Sequence, residues 1–263
     1  MDTATLRRKL RHDGLISLDS GDLFGLRDKL GGSNPLSPSR PYFWRDEAGG
    51  PVYDTVVAAL DHAPDEYALT PASIRTLLAL VEAVGATRVL ELGSGLSTLV
   101  MARHFAAGQG ADGHILAVDE DAGHVSAVQH RLEATGGAGN AAVMAVPLVP
   151  CDAGRLTTRT YDHRVVAARH PPAADFDLLF IDGPRMGAPG GTAWSRLPTL
   201  PFFRPWLRAG ALVVLDDALR DMELEIIRLW EREGLVQPLG VSLAGQGLYL
   251  GRIPGASATE SNA

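Results

Sequence analysis

Five acidic residues stand where short apolar runs end: Glu91, Asp119, Asp182, and the pair Asp216-Asp217. Apolar runs of this kind (Val89 to Leu92, Ile115 to Val118, Leu178 to Ile181, Ala211 to Leu215) read as strands buried on both faces of a sheet. A carboxylate at the end of such a strand needs a partner, so the pattern calls for cations or hydrogen-bond donors along one sheet edge. The chemistry open to it is limited. Oxygen-rich clusters suit Mg²⁺ or another hard divalent cation, a carboxylate accepts two hydroxyls side by side, and it can take a proton. His163, in the polar connection 153–175, is a second candidate base, because imidazole titrates near neutral pH.

The acids need elements that bring them together. After Glu91 the chain breaks at Gly93-Ser94-Gly95 and resumes with an apolar pattern through Leu99, Val100, Ala102 and Phe105. This is a strand, a glycine turn and a helix. Glycines admit a ligand close to the backbone, and the helix start offers unpaired N–H groups. A dinucleotide fingerprint is incomplete, because Thr98 stands where its third glycine belongs. Asp119 ends the second strand, where an acid accepts hydrogen bonds from two ribose hydroxyls.

Acid-x-Gly-x-Gly at a strand end resembles the first motif of class I S-adenosylmethionine (SAM) methyltransferases, in its bacterial small-molecule Glu-x-Gly-Ser-Gly-x-Ser-Thr form. Phe176-Asp-Leu-Leu-Phe-Ile-Asp-Gly-Pro184 resembles the fourth motif of the small-molecule enzymes, and the placement of the acids resembles their metal-dependent O-methyltransferases of the catechol, macrolide-sugar and aminocoumarin-sugar types. The resemblance spans roughly residues 70–250. It implies cofactor contacts from Glu91, Gly93, Ser94, Gly95, Ser97, Thr98, Asp119 and Glu120, with Glu91 also reaching the methionine amino group. Leu148 and Asp152 would lie along the adenine, and Tyr67 or Thr70 would touch the cofactor from the preceding loop. Asp182 would serve both cofactor and metal, and Asp182, Asp216 and Asp217 would be the metal ligands. Adjacent strand residues point to opposite faces, so Asp216 and Asp217 share a cation only if the strand has ended; otherwise Asp217 caps the next helix. The lysine base of the catechol type is missing: Gly183-Pro184-Arg185 follows Asp182, and arginine stays protonated. The base is then Asp182 itself or His163.

Strand–helix alternation from Thr70 to Gly234, then two strands joined near Gly245, predicts an α/β, Rossmann-like, doubly wound sheet. Seven strands are expected, mostly parallel, with an antiparallel last pair. The domains expected are an N-terminal helical or loop extension over 1–69, serving as lid or oligomerisation element, the methyltransferase domain over 70–253, and a disordered tail over 254–263. Tyr42-Phe-Trp44 either line a substrate pocket or plug the extension onto the domain, and the glycine-rich 187–192 reads as a mobile loop beside the substrate. Composition narrows the partners. The chain has 263 residues, is 46% hydrophobic and carries a net charge of −7 with only two lysines, so a phosphate-tracking nucleic-acid surface is not expected. The single cysteine, Cys151, excludes an intrachain disulfide and a cysteine zinc cluster. No apolar run reaches membrane-spanning length and no signal core opens the chain, so a cytoplasmic protein without membrane contact is expected. The function expected is SAM-dependent O-methylation of a hydroxylated small molecule, a sugar or natural product, aided by Mg²⁺ or a similar ion. A homodimer, a metal-independent N- or O-methyltransferase, an NAD(P)-binding oxidoreductase and a non-catalytic SAM-binding subunit remain alternatives.

Overall fold

The computed structural model describes residues 49–61, 63–64, 68–108, 113–154, 156–185 and 192–255. The expectations for Leu6 to Leu10, Tyr42-Phe-Trp44, Tyr67, the loop 187–191 and the last residues of the tail lie outside them. In chain order the elements are α1 (Pro51–Ala58), α2 (Pro71–Val84), β1 (Arg88–Leu92), α3 (Leu96–Ala106), β2 (His114–Asp119), α4 (Ala122–Ala134) and β3 (Ala141–Ala145). There follow β4 (Leu148–Ala153), β5 (Leu156–Tyr161), α5 (His163–Arg169), β6 (Phe176–Ile181), α6 (Thr199–Phe203), β7 (Leu207–Leu215), α7 (Asp221–Arg232), β8 (Gln237–Ser242) and β9 (Leu248–Arg252). Seven strands form one sheet in the order β3-β2-β1-β6-β7-β9-β8, parallel except for the antiparallel pairings of β9 with β7 and β8. This is the doubly wound Rossmann-like sheet expected. The connection 153–175, expected as a loop, instead completes the β4–β5 hairpin, a separate two-stranded sheet, and carries α5.

The side-chain alternation of the strands sorts the core into two layers. Leu90, Leu92, Leu179, Ile181, Val213 and Leu215 face the layer holding Phe203, Trp206 and Trp230. Val89, Ile115, Leu178, Phe180 and Val214 face the layer of α2, α3 and α4. Glu91 falls on that second face, which sets it against the start of α3. Helix α2 begins as its sequence dictates, with the Thr70 hydroxyl accepting the Ser73 N–H, Pro71 in the first turn, and Gly85 closing it in the left-handed conformation. The order β2-β1-β6-β7 reverses direction between β1 and β6, and ligands of open α/β sheets bind outside the carboxyl ends of strands at such a switch. At that edge lie Gly93, Asp119, Asp182 and Asp216.

Candidate active site

The glycine turn is held by the acids on either side of it. Glu91 is fully buried and accepts hydrogen bonds from the hydroxyls of Ser97 and Thr98, the latter at 2.7 Å. Thr98 in turn accepts the Gly95 N–H at 3.0 Å, so the carboxylate fixes the first turn of α3 through its side chains. Gly93 is obligatory on two counts. Its φ is +94°, and a Cβ there would lie 2.9 Å from the Gly183 nitrogen, because the turns after β1 and β6 touch. Burial is the main reason the Glu91 pKa is pushed up to about 8, with the nearby Asp182 and Asp119 adding to it against the two hydroxyls. A carboxyl with a higher pKa folded than unfolded binds its extra proton in the folded state, so the stability it supplies is full at acid pH and fades as pH climbs through about 8. The melting temperature of Glu91→Gln should therefore fall less than that of the natural protein between about pH 5 and about pH 9. Differential scanning fluorimetry across that range checks it, and parallel curves would refute the assignment.

Asp119, expected to take ribose hydroxyls, already has work within the protein. One oxygen accepts the Ser94 N–H at 2.9 Å and the Ser94 hydroxyl at 3.2 Å; the other accepts the Asp121 N–H at 3.0 Å. The His124 ring closes the same turn, donating from Nε2 to the Ser94 carbonyl at 2.9 Å. The next residue differs. The Glu120 side chain is 7% exposed; one oxygen accepts the Tyr161 hydroxyl at 2.9 Å and the other is buried with no hydrogen-bond partner, facing Arg185 Nε at 3.5 Å. Leu148 is buried opposite Tyr161 on the hairpin, whereas Asp152 is exposed there and accepts from Thr157.

Across the crevice the remaining acids converge. β7 ends at Leu215, and Asp217 adopts φ +61°, a left-handed backbone uncommon outside glycine. That turn settles the choice between faces: Asp182, Asp216 and Asp217 each offer an oxygen within 4.8 Å of the others. Asp217 does not cap the following helix, whose N-cap is Arg220; it is paired with that arginine at 2.6 Å. Sequence reasoning missed the cation at the centre. Arg196 is buried and donates to the Asp182 carbonyl at 2.7 Å, the Asp182 carboxylate at 3.3 Å, the Asp216 carbonyl at 3.2 Å and the Asp217 carboxylate at 3.2 Å, with Glu223 at 3.5 Å. Its segment, with no motif and a turn-rich sequence, carried no signal; only the unpaired charge of the acids hinted that a partner must exist.

Even so, negative charge is in excess. Asp182, Asp216, Asp217 and Glu223 face Arg196 and Arg220, four charges against two, and among the described residues no ion pair reaches Asp216. Burial first, and then the neighbouring Asp217, raise Asp182 to about 7 against the opposing pull of Arg196, and burial with Asp217 and Asp182 raises Asp216 as well. Burial would lower Arg196, but the carboxylates around it outweigh that and hold it charged. His163 opens α5 and packs at a tilt on Phe202, 4.7 Å between ring centroids, its Nδ1 buried without a hydrogen-bond partner; no contact joins it to the three clustered acids among the described residues.

Comparison with known proteins agrees with this geometry. Residues 90–218, from β1 to the turn after β7, match the family model described as a methyltransferase domain. No curated protein matches the chain. Among solved structures, the O-methyltransferase TomG from Streptomyces achromogenes, involved in tomaymycin synthesis and solved with SAM, aligns with a TM-score of 0.50 at 19% identity over 78% of this chain and 91% of that one. An O-methyltransferase from Bacillus cereus with S-adenosylhomocysteine (SAH) gives 0.50 at 16% identity over 88% and 99%. Cofactor-bound Rv0187 from MTB gives 0.52 at 19% identity over 91% and 100%. These likenesses show the fold. No helix among the described residues is long and apolar enough to cross a membrane. The match to the methyltransferase-domain model runs through the glycine turn and all five edge acids, on a Rossmann-like sheet of the kind that those solved structures share.

Proposed function

We propose that the chain transfers the methyl group of SAM to a hydroxyl oxygen of a small molecule, with a divalent cation at Asp182, Asp216 and Asp217. The observation that carries this reading is the excess of carboxylate beside the cofactor turn: the Asp182 N–H donates to the Leu92 carbonyl at 2.8 Å, so the acid cluster and the glycine turn share one edge. The donor set fits a hard cation. Asp182, Asp216 and Asp217 would hold it, each offering a carboxylate oxygen within 4.8 Å of the others, and with Glu223 they outnumber the two arginines by two charges. Such an ion would lower the pKa of a bound hydroxyl. The protein's own part is alignment. Methyl transfer is an in-line displacement with a good leaving group, so holding nucleophile, methyl and sulfur on one line is most of the catalysis. The Asp182 carboxylate, at the edge shared with the glycine turn, is placed to take the hydroxyl proton. Glu120, one oxygen of which has no hydrogen-bond partner and faces Arg185 at 3.5 Å, supports cofactor binding.

The test has two parts. Calorimetry with SAH should show one site, and Mn²⁺ should bind once to the natural protein and far more weakly to Asp216→Asn. Radiolabelled SAM and a panel of catechols, sugars and phenols should then show transfer that stops on chelation. Absence of SAH binding would overturn the whole reading. A second reading, metal-independent O-methylation, is favoured by one feature, the Arg196 guanidinium already seated among the acids. Full turnover after rigorous chelation would select it.

A further inference from the structure

We propose that Tyr161 is a positioning residue for the cofactor, holding the Glu120 carboxylate so that its second oxygen meets the ribose hydroxyls. The inference rests on the SAM-binding reading above and goes beyond it, because Tyr161 belongs to the β4–β5 hairpin and not to the cofactor turn. Three observations carry it. The Tyr161 side chain is completely buried, so its hydroxyl has one task, and that task is Glu120 Oε2 at 2.9 Å. The hydroxyl also sits tight on the crevice floor: a Cβ on Gly183 would lie 2.3 Å from it, and the same glycine packs on Gly93 of the cofactor turn. The other oxygen, Glu120 Oε1, is buried without a hydrogen-bond partner and is ion-paired only, with the exposed Arg185 at 3.5 Å. A buried carboxylate oxygen that accepts no hydrogen bond is costly, and it is the kind of acceptor that a hydroxyl pair would complete.

The division of labour between neighbours follows. Asp119 accepts three hydrogen bonds from Ser94 and Asp121 and shapes the turn, while one oxygen of Glu120 accepts none. Burial, reinforced by Glu120 and Asp119, raises the Tyr161 pKa, so the phenol remains a donor throughout the working pH range. A hairpin placed between β3 and β6 in sequence thus orients an acid at the end of β2, tying cofactor binding to an element outside the Rossmann-like core.

The experiment is calorimetric titration of SAH into the natural protein, Tyr161→Phe, Glu120→Gln and the double variant, with melting temperatures alongside. Phenylalanine keeps the ring that fills the core and removes only the donor. Loss of a hydrogen bond to a charged group should weaken SAH binding by about tenfold in Tyr161→Phe. Glu120→Gln should lose at least as much, and the double variant should lose no more than Glu120→Gln alone, because the tyrosine acts through the carboxylate. Unchanged SAH affinity in Tyr161→Phe overturns the proposal, and so do additive losses, which a purely structural tyrosine would give. Should Tyr161→Phe fail to fold, Glu120→Gln binding SAH as tightly as the natural protein overturns it equally. No SAH binding by the natural protein would instead overturn the SAM reading itself.

Discussion

Asp182→Asn should reduce methyl transfer by roughly 10²–10⁴-fold while leaving SAH affinity little changed. Asparagine keeps the volume of the side chain and leaves the main-chain carbonyl, which accepts Arg196 at 2.7 Å, in place. What it removes is the ionisable oxygen, and with it both the proton acceptor and one cation ligand. The stability should move the other way. Asp182 ionises only against burial and against Asp217, which together lift its pKa to about 7, so the folded state holds a proton that the unfolded chain has released by then. A neutral asparagine escapes that cost, and the variant should melt no lower than the natural protein at about pH 8, where the natural carboxylate is most strained. Turnover on whichever acceptor the panel identifies, SAH calorimetry and thermal melts together check this. Full turnover by Asp182→Asn would remove Asp182 from the chemistry, and a loss of SAH affinity as large as the loss of turnover would recast it as a cofactor residue.

The two halves of the crevice were not equally legible in the sequence. The cofactor half was, because its geometry is local. Glu91, Gly93, Ser97 and Thr98 lie within one strand–turn–helix, so their spacing already places the carboxylate against the hydroxyls that it bonds. The buried strands were equally plain, since residues covered on both faces must be apolar throughout. The acid cluster was readable only in part. The apolar runs gave Asp182 and Asp216 their common edge, but whether Asp217 joins them depends on a single left-handed residue that no pattern marks. Arg196 was invisible because its partners come from β6, β7 and α7, and the contact exists only once the chain has closed around it. The β4–β5 hairpin was missed for another reason. Its strands are polar and partly exposed, so they lack the apolar signal that reveals strands of the main sheet. Tyr161, the hairpin residue that reaches the crevice, was overlooked with it, and His163 was singled out in its place. The His163 ring packs on Phe202.

Arg196→Met should cost about 3–5 kcal/mol of folding stability, and the loss should shrink as the pH falls. Methionine fills most of the space of the arginine stem but leaves Asp182, Asp217 and Glu223 without the guanidinium that lies within 3.5 Å of each. Removing one partner from a buried charge network is worse than never having had the network, because the stranded charges stay desolvated. Those carboxylates then have a single remedy in the metal-free chain, which is to bind protons, so the pKa values of Asp182 and Glu223, already raised by burial, rise further above the unfolded values. Stability supplied by such groups is present at low pH and lost as pH climbs through the raised values, and the variant should be closest to the natural protein at about pH 5 and furthest at about pH 8. Part of the loss will not titrate, since Arg196 also donates to the carbonyls of Asp182 and Asp216 and ties the ends of β6 and β7 together. Lysine restores the charge but not the fork that reaches both strand ends, so Arg196→Lys should recover only part of the stability. Urea denaturation of the three proteins at both pH values measures each component. A loss for Arg196→Met that is equal at both would mean that the guanidinium serves as a backbone clip alone, and that the acids around it never depended on its charge.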